Sequence, residues 1–124
     1  MAEHSSGTHE SLEVLQPETV DRHRAIVSIM EELEAIDWYD QRADAAQDPE
    51  LAAILAHNRD EEKEHAAMTL EWLRRQDPKL DEHLRTYLFI DESVLDREAQ
   101  AEAQGDDGVT PDGSLGIGSL RGES

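Results

Sequence analysis

The chain has 124 residues, with 30 acidic side chains against 11 Lys and Arg and a formal net charge of −19. Such a charge repels the phosphate backbone of DNA or RNA, so we expect no nucleic-acid partner. The sequence has no Cys, which excludes disulfides and thiolate metal sites. It also has no apolar run of about 18 residues, so we expect no membrane association and a cytoplasmic protein.

The N-terminal part of the chain separates into a polar segment and a long helix. Residues 1–16 contain little that could be buried and are expected to be disordered. Pro17 stands where a helix can begin, because the first helical turn tolerates a residue without a backbone N–H. Nothing breaks the following pattern until about Gln47. The sequence therefore predicts a first helix of about 30 residues.

Two further helices begin at repeated Asp-Pro steps. Asp48-Pro49 supplies an N-cap and a first-turn proline for a second helix, which runs to about residue 76. Asp77-Pro78 does the same for a shorter third helix ending near Phe89. Since no strand-like alternation occurs, the predicted fold class is all-α, with a helical domain over residues 17–90.

The two long helices should form an antiparallel hairpin, because only a short turn separates them. Each carries an apolar face that the other helix can cover only in part. These positions are Ile26, Ile29, Met30, Leu33, Ile36, Leu51, Ile54, Leu55, Met68, Trp72 and Leu73. Pairing two hairpins into a ferritin-like four-helix bundle would bury both faces, so a homodimer is expected.

After the helical domain the composition changes twice. Residues 91–112 are acidic and lack a periodic apolar face, so a flexible acidic linker is expected. Residues 113–124 then place apolar side chains in a Gly/Ser setting. The motif reads Leu115, Gly116, Ile117, Gly118, Ser119, Leu120 and Arg121. It is typical of a docking peptide on a tether, although the composition alone fits a disordered tail equally well.

Three residues on the long helices form half of a recognisable metal site. Glu32 interrupts an apolar stripe, and Glu62 with His65 makes the only Glu-x-x-His pair of the chain. Carboxylate-bridged di-iron bundles take one Glu from each of two helices and a Glu-x-x-His from each of two others. A second copy of the chain would supply the missing half, and the site would lie between the subunits.

The charge count favours iron at such a shared site. Two copies of Glu32 and Glu62 contribute four negative charges, which two divalent ions neutralise, and imidazole suits iron well. Glu61 also lies one turn from His65 and could replace Glu62. The competing interpretation is a surface lattice of ion pairs formed with nearby basic residues, namely Arg59, Lys63, Arg74 and Arg75.

Several neighbouring residues allow two interpretations. Glu31, Glu34 and Trp38 lie on a stripe beside Glu32 and could attract a further divalent cation, but they also fit a solvated helix face. Tyr39 could hydrogen-bond a metal ligand or donate an electron, but it also fits a phenol that caps a core. The other histidines lack evident ligand partners and are expected at the surface: His4, His9, His23, His57 and His83.

The runs from Arg22 to Arg42 and from Ile54 to Met68 resemble the encapsulated ferritin family, and the likeness covers about residues 9–90. The ending from Leu115 to Arg121 resembles the peptide that loads cargo into encapsulin shells. The resemblance implies a two-helix protomer whose dimer forms the bundle and whose dimers form an open decameric ring of five dimers. It also implies residence inside an encapsulin nanocompartment.

The resemblance also implies roles for individual residues. Glu32, Glu62 and His65 match the family's di-iron ligands, with two iron ions at each dimer interface, and this match favours Glu62 over Glu61. Glu31, Glu34 and Trp38 correspond to a metal-attracting site that leads to the iron centre. Tyr39 corresponds to a tyrosine behind the ligands, that is, one that neighbours the metal-binding side chains but does not itself bind the metal.

These observations give one leading hypothesis and two alternatives. The leading one is a ferroxidase that oxidises Fe(II) with dioxygen and is loaded into an encapsulin shell for iron storage and detoxification. The first alternative is a non-catalytic helical adaptor assembled by metal. The second is a di-metal peroxidase or catalase-type enzyme, which the same ligands would permit.

Overall fold

The computed structural model describes residues 7–107, and the regular secondary structure of this part of the chain is all helical. A short 3-10 helix, Leu12–Val14, precedes four α-helices. These are α1 (Pro17–Ala45), α2 (Pro49–Gln76), α3 (Pro78–Tyr87) and α4 (Val94–Asp107). The absence of strands between residues 7 and 107 confirms the predicted all-α class.

The predicted hairpin of two long helices is confirmed, and its boundaries follow the prolines. Pro17 and Pro49 occupy the first turns of α1 and α2. Asp48 caps α2, because its Oδ2 accepts a hydrogen bond of 2.8 Å from the backbone N–H of Leu51. Such a cap satisfies one of the backbone donors that a helix start leaves free.

An ion pair joins the two long helices close to their connection. Arg59 on α2 donates from Nη1 to Oδ1 of Asp40 on α1 over 2.9 Å, and from Nε to Oδ1 of Asp60 over 3.0 Å. These bonds raise the pKa of Arg59, with Asp60 the larger cause. The bond from Arg59 in turn lowers the pKa of Asp60. The pair links the two helices within the halves that lie nearer their connection.

The hairpin has very little core of its own. In the described part of the chain only Ala25 and Leu73 are buried apolar residues, and they keep 8% and 7% of their surface exposed, respectively. Large side chains on both helices stay exposed, with 58% of Met68 accessible. The others on α1 and α2 are Ile26, Met30, Leu33, Trp38, Leu51, Ile54 and Trp72. A soluble monomer rarely leaves so much contiguous apolar surface uncovered, so these faces have the character of an interface.

Two predictions about irregular segments are wrong over the residues described. Residues 94–107 form α4, where a flexible linker over 91–112 was expected. Ala, Glu and Gln, which are frequent in this segment, have high intrinsic helix propensity, so the segment can form a helix although it has no periodic apolar face. Ser93 starts the helix, since its hydroxyl accepts from the backbone of Asp96. Within residues 1–16, the 3-10 helix Leu12–Val14 replaces part of the expected disorder.

A second compact unit begins at Lys79 and contains most of α3 and all of α4. Arg97 of α4 donates from Nε to the backbone carbonyl of Thr86 over 3.0 Å, which ties α4 to the end of α3. Helix α3 ends at Tyr87, two residues before the predicted end, and Phe89 follows with φ 61°. A residue in this left-handed region commonly terminates a helix.

None of the helices between residues 7 and 107 combines the length and apolar composition needed to cross a lipid bilayer.

Candidate metal centre

Glu32 on α1 presents an unusual carboxylate. Its Oε1 is buried and accepts no hydrogen bond from any part of the chain that the structure describes. The residues that flank it along this face, Ile29 and Ile36, are themselves half-buried. A buried polar atom without a partner costs about 1–3 kcal/mol. A carboxylate oxygen in this state is therefore well suited to receive a cation.

Glu62 and His65 lie one turn apart on α2 and come together. Oε1 of Glu62 is 3.6 Å from Nδ1 of His65, and the side chains are 28% and 44% exposed, respectively. This separation is too long for a direct hydrogen bond. The lone pairs of both groups therefore remain available. One turn further along, Thr69 donates its hydroxyl to the backbone carbonyl of His65 over 3.1 Å.

Glu61, the alternative ligand, lies in a different environment. Its Oε2 is 3.8 Å from Nε2 of His57, and its side chain is 49% exposed. Glu61 is thus the more accessible of the two neighbouring carboxylates and pairs with a histidine on another stripe of α2. The geometry favours Glu62 as the partner of His65.

The expected lattice of ion pairs exists, but it uses other acids. Arg59 and Lys63 pair with Asp40 and Asp60. Arg74 and Arg75 pair with Glu71, and these bonds lower the pKa of Glu71 to about 2, with Arg74 the larger cause. No Lys or Arg between residues 7 and 107 forms a salt bridge with Glu32 or Glu62. The carboxylates singled out for metal binding are thus left outside the lattice.

A single chain does not assemble a complete site from these groups. Across residues 7–107, no three His, Asp or Glu side chains converge closely enough to hold a metal ion. Glu62 and His65 form a pair, and Glu32 does not join them as a third ligand within the protomer. One chain therefore offers one carboxylate on α1 and one carboxylate–imidazole pair on α2.

The neighbouring candidates occupy a more accessible stripe of α1. Glu31, Glu34 and Trp38 are exposed, whereas Tyr39 is half-buried. Sequence reasoning missed Arg42, whose guanidinium carbon lies 5.9 Å from the centre of the Trp38 ring and 5.5 Å from that of Tyr39. The spacing of four and three residues from the two aromatics is the signal that could have identified it.

The proposed docking motif over residues 113–124 lies outside the described residues, as do the last residues of the expected linker.

Comparison with known families and curated proteins gives consistent matches. The EncFtn-like family profile matches residues 7–91. An "Encapsulated ferritin-like protein" from Rhodospirillum rubrum is 67% identical over 132 aligned positions, which cover 100% of this chain and 94% of the relative. A "Ferritin-like protein" from Thermotoga maritima is 48% identical, with 90% of this chain and 96% of the relative covered.

A more distant relative and a solved structure extend these matches. The "Encapsulin nanocompartment cargo protein EncC" of Myxococcus xanthus is 39% identical, covering 77% of this chain and 80% of the relative. The crystal structure of a protein from Nitrosomonas europaea superposes with a TM-score of 0.68 at 60% identity, covering 70% of this chain and 96% of that one. The helical architecture is therefore shared with an experimentally determined fold.

Proposed function

The chain belongs to the EncFtn-like family, and from that membership we propose that it is a ferroxidase whose iron site is shared between two copies. In this proposal, Fe(II) is the substrate and dioxygen the electron acceptor. Glu32 from each copy and the Glu62–His65 pair from each copy bind two ferrous ions between them. The observation that carries the proposal is the buried, unpartnered Oε1 of Glu32.

The second copy is required by both the ligands and the packing. One chain supplies half of the donor set that a carboxylate-bridged di-iron bundle uses. The exposed apolar faces of α1 and α2 lie on the same hairpin as those ligands. A partner that covers these faces would bring a second Glu32 and a second Glu62–His65 pair to the interface. Oligomerisation and metal binding are also the usual means by which a small helical core becomes stable.

The charge and the donor types suit two ferrous ions. Two Glu32 and two Glu62 carboxylates carry four negative charges, which balance the four positive charges of the two ions. Each ion loses one electron on oxidation. Two ions therefore reduce one dioxygen to hydrogen peroxide with uptake of two protons, whereas four ions reduce it to two water molecules with uptake of four protons. Carboxylates can change from bridging to chelating as the charge rises, and imidazole binds iron in both states.

The role of Glu31, Glu34 and Trp38 in this proposal is to collect ferrous ions. Glu31 and Glu34 lie one turn apart on the exposed face of α1, and a carboxylate pair of this kind raises the local concentration of cations. Tyr39 is half-buried on the same face of α1 as Glu32, and in this proposal it lies behind the ligands. Its phenol can donate a hydrogen bond to a ligand carboxylate.

The kinetic test compares three ligand variants with a matched control. Aerobic oxidation of ferrous iron is followed optically for the wild type and for Glu32→Ala, Glu62→Ala and His65→Ala. We expect each variant to lose most of the activity. Glu61→Ala removes an adjacent carboxylate of the same helix that faces His57, and should oxidise iron at the wild-type rate. Unchanged rates in all three ligand variants would contradict the assignment.

We also propose that the chain is carried as cargo inside an encapsulin shell, where the oxidised iron is stored. Support comes from two relatives, an encapsulated ferritin-like protein and an encapsulin nanocompartment cargo protein. The motif from Leu115 to Arg121 would dock on the shell. Deleting residues 113–124 should abolish co-purification with a co-expressed shell while iron oxidation by the free protein continues. If the truncated protein still loads, another part of the chain makes the contact.

A further inference from the structure

Arg42 contacts two aromatic rings at once. Its guanidinium carbon lies 5.9 Å from the ring centre of Trp38 and 5.5 Å from that of Tyr39. Both distances fall within the range of about 6 Å over which a cation is attracted to the face of an aromatic ring. No carboxylate between residues 7 and 107 forms a salt bridge with Arg42, so its guanidinium is not held by an ion pair in this part of the chain.

The position of Arg42 links two stripes of α1 that have different roles. Successive residues of a helix project about 100° apart, so Trp38 and Tyr39 belong to different stripes. Trp38 continues the exposed stripe of Glu31 and Glu34, and Tyr39 continues the half-buried stripe of Glu32. The guanidinium of Arg42 therefore contacts one aromatic ring from each of the two stripes.

The chemistry of arginine suits this bridging position. Its guanidinium is planar and delocalised, is weakly hydrated, and stacks on aromatic faces, whereas the ammonium of lysine is a compact, strongly hydrated point charge. A cation in the last turn of α1 also interacts favourably with the helix dipole. The dipole alone would not require the side chain to lie over the rings, so the ring contacts call for a separate explanation.

We propose that Arg42 is a positioning residue for the iron chemistry, which fixes the phenol of Tyr39 behind the ligands through its cation–π contacts with both Tyr39 and Trp38. This inference rests on the ferroxidase function proposed above. Arg42 touches neither iron nor dioxygen; it acts through the orientation of the Tyr39 hydroxyl. Loss of its planar face should therefore slow turnover without weakening the capture of ferrous ions.

The test is a double-mutant comparison of ferrous oxidation rates. Arg42→Gln should lower kcat by about three- to tenfold, since small errors in the orientation of a group at a reaction centre are costly, and KM for Fe(II) should stay within about twofold. In a Tyr39→Phe background there is no hydroxyl to orient, so adding Arg42→Gln should change kcat by less than about 1.5-fold. Equal effects of Arg42→Gln in both backgrounds would overturn the proposal.

Two further variants separate the effect of the planar guanidinium of Arg42 from the effect of its positive charge. Arg42→Lys keeps the positive charge and the favourable dipole interaction but lacks the planar face, and we expect it to be as slow as Arg42→Gln. Full activity of Arg42→Lys, or an effect confined to KM, would assign the role to charge and overturn the proposal. Arg24→Gln removes an exposed arginine that pairs with Asp21 on the same helix and should leave kcat unchanged.

Glu32→Ala, measured in the same series, distinguishes an error about the role of Arg42 from an error about the shared iron site. If Glu32→Ala abolishes oxidation while Arg42→Gln has the wild-type kcat, the inference about Arg42 is wrong and the ferroxidase function stands. If oxidation survives Glu32→Ala, the shared iron site itself is wrong. Size-exclusion chromatography of each variant checks that assembly is intact, so that a slow rate in an assembled protein reports on the site.

Discussion

Replacing Glu32 with Met should stabilise the metal-free protein and abolish its response to metal. Met is similar in length to Glu, and the two have nearly equal helix propensity. The substitution therefore mainly removes the buried carboxylate. An unpartnered buried polar atom costs about 1–3 kcal/mol. Of the two carboxylate oxygens of Glu32, only Oε1 is buried without a partner, so we expect the lower end of that range, about 1 kcal/mol.

The expected change is measurable as a shift in Tm. For a domain of 60–100 residues, 1 kcal/mol corresponds to about 4–8 °C. Thermal unfolding of metal-free Glu32→Met should therefore occur several degrees above the wild type at the same protein concentration. Anaerobic Fe(II) at about 100 times its Kd should stabilise the wild type by about 2.7 kcal/mol. The same addition should leave Glu32→Met unchanged.

Glu61→Met is the matched control for this experiment. Its carboxylate is about half exposed, and surface substitutions of this kind usually change stability by no more than about 0.5 kcal/mol. It should leave both the metal-free Tm and the response to Fe(II) close to those of the wild type. A metal-free Tm of Glu32→Met several degrees below the wild type would refute the reasoning. Undiminished stabilisation of Glu32→Met by Fe(II) would refute it as well.

Three further predictions concern the scaffold that holds the ligands. Asp48→Ala removes the cap of α2 and should cost about 1 kcal/mol in the free energy of unfolding, measured by urea denaturation, whereas Asp48→Asn should retain most of it. Arg59→Ala breaks the bond to Asp40 and should lower the Tm, more strongly at low salt, because screening weakens exposed ion pairs; a loss independent of salt would contradict this explanation. The arginines beside Glu71 lower its pKa to about 2, so its stabilising contribution is complete above its usual pKa of 4.5 and disappears as the pH falls towards 2. Glu71→Gln should therefore flatten the dependence of Tm on pH over that range, and an unchanged profile would show that the pairs contribute nothing.

The helix boundaries were predictable because local chemistry determines them. Pro17, Pro49 and Pro78 begin three of the helices. Each is tolerated there because the first turn of a helix does not use its backbone N–H. The half-buried environment of Glu32 also followed from the sequence, since Ile29 and Ile36 flank it on one face. These features depend on residues within a turn or two of one another.

The missed features depend on other forces. Helix α4 was not predicted because its stability comes from intrinsic helix propensity and the N-cap Ser93, and not from a periodic apolar face. The bond between Asp40 and Arg59 joins residues 19 apart in sequence. Only the register of the two helices brings those residues together. The cation–π contacts of Arg42 depend on side-chain rotamers, which sequence spacing permits but does not determine.

The central claim, that two copies share one iron site, is tested most directly by a crystal structure of the protein soaked anaerobically with ferrous salt, with iron located from its anomalous scattering. The account predicts paired iron peaks between two copies, bound by Glu32, Glu62 and His65 of both. Iron held within a single chain, or by acids other than these, would contradict it.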